Sequence, residues 1–595
     1  MTLLTVWAPR AGRVKATVAG RVHPLAPGDG GWWAADVPEL VHGVDYAFLL
    51  DDDPTPLPDP RSRWQPAGVH GPSRWYDDAA YRWSDAGWRG VPLAGAVLYE
   101  LHVGTFTQGR TLDSAVERLD HLVNLGVDVV ELMPVAAFPG RHGWGYDGVH
   151  PYAVHEPYGG PDALKRFVDA CHARGLGVCL DVVYNHLGPS GNYLPLFGPY
   201  FSDKHETPWG AGVNLDDDGA TEVRRWIVDN ATSWLRDFHV DMLRLDAVHA
   251  MADDSPVHLL AELAREVDAL AVDLRRPLSL VAESDLNQPA TVTPVECGGL
   301  GMTGQWSDDF HHALHTLLTG EAQGYYADFA ADPFDALERT LTGAFFHAGT
   351  PSSFRGAAWG APVDRSRVPG WRFLGYSQTH DQVGNRAVGD RLASTVSPGL
   401  ARIAAALVLT SPFTTMLFMG EEWAASTPWQ YFTSHEEPEL AEAVRSGRRR
   451  EFAEHGWAAE DVPDPQADAT LEASTLLWGE VDDAEHAAML HWYRDLIALR
   501  RREPELSDPR LDRVAVTYDA AARWVVVTRG SLRVVANLAD HAQAVPLETP
   551  VAEILLSSAS QDRPATADVL LPRESIAIVR VVAEKEPGTA AAVDL

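Results

Sequence analysis

The sequence predicts an α/β protein built on a (β/α)8 barrel, with a β-sandwich before it and an all-β domain after it. Strand-like and helix-like segments alternate from about residue 95 for about 400 residues, which favours a parallel barrel with inserted loops. Short apolar segments separated by Gly, Pro and Asp fill the start of the chain, and similar segments return after about residue 510.

These composition changes divide the chain into four regions. We expect an immunoglobulin-like β-sandwich over residues 1–90 and the barrel with its inserted loops over 91–510. A second β-sandwich is expected over 511–585, and a disordered tail over 586–595. The amphipathic stretch at 487–506 is expected to form the last barrel helix.

Charge and cysteine content limit the classes of function. The formal net charge of −35 disfavours nucleic acid and anionic substrates, because both would be repelled. Three cysteines cannot all pair, and no run of 18 apolar residues is present. Because the first residues also lack a basic segment followed by an apolar one, we expect a cytoplasmic protein without membrane contact.

Three acidic residues mark the predicted chemistry. Asp246 lies in MLRLDAVH, Glu283 in LVAESD and Asp381 in SQTHDQVGN, each just after an apolar run. Such positions correspond to the carboxyl ends of barrel strands, where the active sites of these barrels lie. Two carboxyl groups in opposite protonation states are what cleavage of a glycosidic bond requires.

Each acid also has a plainer interpretation. Arg244 beside Asp246 could orient an ionised nucleophile or form only a structural ion pair. Glu283 after LSLVA could be a desolvated general acid or an ordinary residue at a strand end. His186 and His380 could bind substrate hydroxyls, although lone histidines are more often packed or solvated.

Two further residues accompany these motifs. Tyr146 in GWGYDGVHPYAV could supply a stacking face for a sugar ring. Asn185 could ligate calcium, but no cluster of oxygen ligands accompanies it in the sequence. We therefore expect no metal and no cofactor.

The motifs DVVYNH, MLRLDAVH, LVAESD and SQTHDQVGN resemble, in order, the four characteristic regions of glycoside hydrolase family 13, the α-amylase family. This resemblance implies a retaining double displacement with Asp246 as nucleophile, Glu283 as acid/base and Asp381 as transition-state stabiliser. The reacting carboxyl groups would then lie about 5–5.5 Å apart. It also implies that Tyr146, His186, Arg244 and His380 line the subsite of the cleaved glucose.

Longer segments are similar to one subfamily. DPRSRWQPAGVHGPS, YELHVGTFT, NHLGPSGNYL and THDQVGNRA resemble the maltooligosyltrehalose trehalohydrolases. The resemblance implies hydrolysis of the α-1,4 bond next to a terminal trehalose, with maltooligosyltrehalose as substrate and trehalose and a maltooligosaccharide as products. It also implies an N-terminal domain like a glucan-binding module. We expect a monomer or a weak homo-oligomer.

The segment QWSDDFHHALH predicts a loop after the sixth barrel strand. Trp306, Asp308, Asp309 and His311 could bind the trehalose half of the substrate through a stacking face and several hydroxyl ligands. Alternatively, the segment is an ordinary start of the following helix, with Asp308 at its first turn.

Other classes remain open at the level of the sequence. A branching enzyme would share the fold and the acids but transfer glucan to a sugar 6-hydroxyl, and an α-amylase or debranching enzyme would cleave other glucans. A non-catalytic glucan-binding scaffold would be expected to lack one of the three acids, all of which are present. A metal-dependent barrel enzyme would lose activity to a chelator.

Overall fold

The computed structural model describes residues 2–207, 210–454, 458, 461–559 and 568–582. The tail predicted over 586–595 lies outside these residues. By its internal contacts the chain forms two compact units: Met1–Trp306 with Gln378–Arg391 and Met416–Asp483, and Ser307–Ser377 with Leu392–Thr415 and Ala484–Leu595.

The N-terminal residues form two antiparallel sheets. In strand Val14–Val18 the buried Val14, Ala16 and Val18 alternate with more exposed residues, the pattern of a sheet with one buried face. The three-stranded sheet has the order Leu3–Trp7, Trp32–Asp36, Ala26–Pro27, and the four-stranded sheet Arg21–Pro24, Val14–Val18, Asp45–Leu50, Ser73–Arg74.

A closed barrel of eight strands, which we number β1–β8, confirms the predicted fold. The residues of these strands are all buried and mostly apolar, as expected when both faces of a parallel sheet are covered. They are β1 Val97–Leu101, β2 Val129–Leu132, β3 Gly177–Val182, β4 Met242–Leu245, β5 Ser279–Ala282, β6 Gly304–Trp306, β7 Phe373–Gly375 and β8 Thr414–Phe418.

Helices follow most of these strands in the chain. The last long helix, predicted over 487–506, spans Ala484–Arg502 and ends two residues before Pro504, which cannot extend a helix. The principal helices are Leu112–Val116, Leu119–Leu125, Gly160–His172, Ala220–Asp237, Leu259–Leu274, Asp308–Thr319, Pro333–Gly343, His380–Gly384, Pro398–Leu409, Pro438–Glu454, Asp468–Ala473 and Ala484–Arg502.

The C-terminal residues return to β-structure, as predicted. A buried cluster that includes Val526, Val545 and Val579 joins a five-stranded and a two-stranded antiparallel sheet. The larger sheet has the order Val514–Asp519, Trp524–Arg529, Leu532–Asn537, Ser575–Val581, Val551–Ser557, and the smaller one pairs Gln543–Pro546 with Asp568–Leu571.

Within the part of the chain that the structure describes, no helix combines the length and apolar character needed to cross a bilayer.

Candidate active site

Two of the three predicted acids follow barrel strands directly. Asp246 comes immediately after β4 and Glu283 immediately after β5. Between them, Ala247 adopts φ +40° and ψ +52°, a left-handed conformation that is strained for alanine. Its backbone N–H donates to Glu283 Oε2 at 2.8 Å, so the strained turn after Asp246 also orients Glu283.

Asp381 is placed differently from the prediction of a strand end. It lies in the short helix His380–Gly384 and is the sixth residue after Gly375, the last residue of β7. Thr379 and Gln382 form a reciprocal capping box around the first turn of this helix, which fixes its start. The Asp381 side chain remains 37% exposed, so it is open to a ligand.

Arg244 connects the buried carboxyl groups. Its Nη1 donates to Asp246 Oδ1 and to Asp181 Oδ2, both at 2.8 Å. Its Nη2 lies 2.9 Å from Glu283 Oε2 but lacks the geometry of a hydrogen bond, so this third contact is electrostatic. The register of β3 and β4 pairs Asp181 with Arg244, which explains why the two side chains meet.

Asp246 and Glu283 are held in opposite protonation states. Burial opposes ionisation of Asp246, but Arg244 and the hydrogen bond from Asn185 outweigh it and lower its pKa. For Glu283, burial raises the pKa well above its usual value, and Arg244 only partly offsets this. The neighbouring Asp246 and Asp381 raise it further. An ionised carboxylate therefore faces a protonated carboxyl group, as acid/base catalysis at a glycosidic bond requires.

Asn185 and His186 act on this centre from the loop after β3. Asn185 Nδ2 donates to Asp246 Oδ2 at 2.8 Å and to its main-chain oxygen at 2.7 Å, so the amide orients the carboxylate. His186 Nε2 lies 3.1 Å from the main-chain oxygen of Tyr146, and its Nδ1 contacts Asn185 Oδ1. Burial lowers the His186 pKa, which favours the neutral ring.

Tyr146 is presented by a turn that needs glycine. Gly145 has φ +99°, and a Cβ at this position would lie 2.4 Å from the main-chain oxygen of Pro134. The Tyr146 hydroxyl contacts Asp181 Oδ2 at 2.6 Å and His380 Nε2 at 2.9 Å. The Tyr146 and His380 rings stack with centroids 5.3 Å apart.

The structure thus brings together seven predicted residues: Asp246, Glu283, Asp381, Tyr146, His186, Arg244 and His380. Three further residues belong to this network: Asp181 and Asn185, which contact Arg244 and Asp246, and Glu100, whose carboxyl oxygens contact His380. Glu100 and Asp181 are charged residues within otherwise apolar strands, and such residues are almost never fully buried unless paired. That pattern could have identified both of them.

The four residues of the QWSDDFHHALH segment are mostly buried. Trp306 is 2% exposed, and the Arg244 guanidinium lies 4.3 Å from its ring centroid. Asp309 accepts from the backbone N–H groups of Phe346 and His347 at 2.7 and 3.0 Å. These contacts leave Trp306 and Asp309 little surface to offer a ligand.

The other two residues of this segment belong to the second unit, as does Asp309. His311 is buried, with Nδ1 2.8 Å from the main-chain oxygen of Ser377 and Nε2 3.2 Å from Tyr326 Oη. Asp308 begins its helix, accepts from Tyr376 Oη at 2.7 Å and remains partly exposed. Asp308 is therefore the residue of the four most open to solvent.

A possible cation position involves none of the predicted site residues. His205, Asp216 and Asp254 each offer a ligand atom, and these atoms lie within 4.8 Å of one another. However, Lys204 Nζ lies 2.8 Å from Asp216 Oδ2, so an ammonium group already balances this carboxylate. The donor set therefore fits a salt-bridge network better than a metal ion.

Comparisons with known proteins agree with this geometry. Residues 94–195 match the family model described as "Alpha amylase, catalytic domain", and residues 509–578 match a domain of unknown function, DUF3459. A crystal structure of a putative α-amylase from Salmonella typhimurium is 37% identical, with a TM-score of 0.89 and 97% of each chain covered.

Curated relatives are similar along most of the chain. The malto-oligosyltrehalose trehalohydrolase of Mycobacterium tuberculosis is 54% identical over 545 residues, which cover 91% of this chain and 93% of the relative. The enzyme of the same name from Rhizobium sp. (strain M-11) is 51% identical, with 97% of each chain covered. The chain therefore belongs to the malto-oligosyltrehalose trehalohydrolase family, a branch of the α-amylase family of glycoside hydrolases.

Proposed function

We propose that this protein is a retaining glycoside hydrolase that cleaves the α-1,4-glucosidic bond next to the terminal trehalose of maltooligosyltrehalose. The products are trehalose and a maltooligosaccharide shortened by that unit. The names of the relatives support the substrate. The observation that carries the chemistry is the pair of carboxyl groups, one ionised and one protonated, that contact a single guanidinium.

In the first step, Asp246 attacks the anomeric carbon of the glucose being cleaved. Glu283 donates its proton to the departing trehalose oxygen, and a glycosyl ester forms on Asp246. Arg244 and Asn185 keep Asp246 ionised and oriented for this attack.

In the second step, Glu283 accepts a proton from water, and the water oxygen attacks the same carbon and releases Asp246. Two inversions restore the α configuration. Asp381 stabilises the positive charge that develops on the sugar ring in both steps. Tyr146, His186, Arg244 and His380 surround the ring in this proposal.

The product pattern tests the proposed function. Maltotetraosyltrehalose should yield trehalose and α-maltotetraose, identified by chromatography and by the anomeric signals in early ¹H NMR spectra. Maltohexaose, which lacks the trehalose unit at equal length, should react much more slowly. Formation of α-1,6 branches would instead indicate a branching enzyme, and initial release of the β anomer would contradict the double displacement.

Asp308 tests the proposed role of the first turn of helix Asp308–Thr319 in binding trehalose. Asp308→Ala should raise KM for maltotetraosyltrehalose about fivefold to tenfold, since a charged hydrogen-bond partner is lost, and leave KM for maltohexaose unchanged. Tyr376→Phe is the matched control, because it removes the protein donor to Asp308 and keeps the carboxylate. Unchanged KM and trehalose release in Asp308→Ala would reject the role.

We also propose that the predicted boundaries at 1–90, 91–510 and 511–585 separate a glucan-binding-module-like domain, the catalytic barrel and a C-terminal β-sandwich. The N-terminal and C-terminal antiparallel sheets support this division. Binding of glycogen to the isolated N-terminal region would test its proposed role.

A further inference from the structure

A buried carboxyl group beneath the active site contacts His380 twice. Glu100, in β1, is 1% exposed. Its Oε1 lies 2.5 Å from His380 Nδ1, and its Oε2 accepts the backbone N–H of His380 at 3.0 Å. The two contacts fix both the position of the residue and the rotation of its ring. No function has been assigned to Glu100 by the mechanism above.

The hydrogen bonds around His380 indicate which atoms carry protons. The single hydroxyl proton of Tyr146 is directed to Asp181, an acceptor that lies at 2.6 Å. Tyr146 Oη must then accept from His380 Nε2–H at 2.9 Å. On the opposite edge of the ring, Nδ1 faces Oε1 of Glu100. The other oxygen of Glu100 accepts the backbone N–H of His380. Both ring nitrogens then face oxygen acceptors, an arrangement that favours the imidazolium form.

We propose that Glu100 is a positioning residue that keeps His380 doubly protonated and in place during the hydrolysis proposed above. The charged ring holds Tyr146 through Nε2, and this nitrogen also lies 3.7 Å from Asp381 Oδ1. Glu100 thus acts on Tyr146 and Asp381 through His380, without contacting the substrate itself. The inference rests on the proposed function, because its test measures the hydrolysis of maltotetraosyltrehalose.

The other groups around the ring are consistent with this assignment. Burial lowers the His380 pKa, but the Glu100 carboxylate, followed by Asp381, raises it to about 9. Arg244 opposes this rise, and His102 is a further histidine within electrostatic range. The ionisable groups that face His380 from neighbouring elements are Glu100, His102, Glu131, Tyr146, Asp181, Arg244 and Asp381.

Glu131 is a second buried glutamate that can be compared with Glu100. It lies beside Glu100 in the β1–β2 register and is equally buried. Its two carboxyl oxygens have no hydrogen-bond partner among the described residues. Burial, reinforced by Glu100, raises the Glu131 pKa to about 8, so this group is mainly neutral at pH 7. Of the two, only Glu100 has oxygens in contact with His380 among the described residues.

Glu100→Gln removes the charge of the Glu100 side chain but keeps its shape, so it distinguishes the effect of the charge on His380 from the effect of the ring's orientation. The glutamine amide can accept from the backbone N–H of His380 and donate to Nδ1, but only if the ring is neutral. We expect kcat for maltotetraosyltrehalose at pH 7 to fall about 10–100-fold, and the optimum of kcat to move about one pH unit towards acid. Glu131→Gln, the matched control, should leave the profile unchanged between about pH 5 and 7.

Two further measurements keep the test decisive. In the His380→Gln background, Glu100→Gln should change kcat less than about twofold, because its target is already absent. Thermal unfolding of each variant shows whether a lower activity is caused by loss of folded enzyme. An unchanged optimum in folded Glu100→Gln, or effects of the two substitutions that multiply, would overturn the inference. Absence of trehalose release by the unsubstituted enzyme would contradict the proposed function instead.

Discussion

Asp246→Asn should reduce kcat for trehalose release by about 10⁵-fold or more, the scale seen when a catalytic nucleophile is removed. The amide cannot form the glycosyl ester, and its geometry is otherwise close to that of the carboxylate. Steady-state assays with maltotetraosyltrehalose, together with mass spectrometry for the glycosyl-enzyme, would measure this loss. Unchanged thermal unfolding would show that the loss is chemical.

Two further variants serve as comparisons for Asp246→Asn. Glu283→Gln should lower kcat by about 10²–10⁴-fold, the usual contribution of a general acid. Asp273→Asn, an exposed substitution of the same chemistry on helix Leu259–Leu274, should leave kcat unchanged. An Asp246→Asn enzyme within about tenfold of the wild-type kcat would exclude Asp246 as nucleophile.

Arg244→Met should destabilise the fold by about 3–5 kcal/mol, the cost of leaving buried charges without their partner. The Arg244 side chain has no exposed surface and contacts Asp181, Asp246 and Glu283 within 2.9 Å. Thermal unfolding measures the effect. Arg166→Met, which breaks a surface pair with Asp113, should change stability by less than about 1 kcal/mol.

The penalty of Arg244→Met should depend on pH in a defined direction. In the wild type the Asp246 pKa is lowered, so Asp246 contributes stability above its unfolded pKa of about 3.9 and loses it as pH falls through the folded value. Without Arg244, burial would raise the carboxyl pKa values, and protonation at acid pH would relieve the repulsion. The difference in Tm should therefore widen as pH rises above about 4; a constant difference would contradict this account.

Much of the architecture follows from local sequence patterns. Mostly apolar runs such as SLVA in β5 identify buried parallel strands, and the alternating helices follow from amphipathic spacing. The acids Asp246 and Glu283 could be located because a barrel displays its strand ends at one face. Helix boundaries were less well predicted, as the segment at 487–506 illustrates, since a helix end depends on its capping and on nearby proline.

Other parts of the site depend on contacts between residues far apart in the chain. Glu100 is 280 positions from His380, and Asp181 meets Arg244 through the register of two strands. The sequence left open whether Trp306 and Asp309 bind trehalose or belong to the start of the following helix; in the structure Trp306 is buried and Asp309 accepts two backbone N–H groups. Which distant residue a buried polar side chain contacts cannot be read from its immediate neighbours in the sequence.

By itself, the sequence determined the order of strands and helices, the three candidate acids and the resemblance to a family, because each depends on residues close together in the chain. Only the tertiary structure decided that one guanidinium contacts Asp246 and Glu283, and that Glu100 lies against His380. The physical reason is that protonation depends on burial and on charges brought within a few ångströms, and the closing of the barrel creates both.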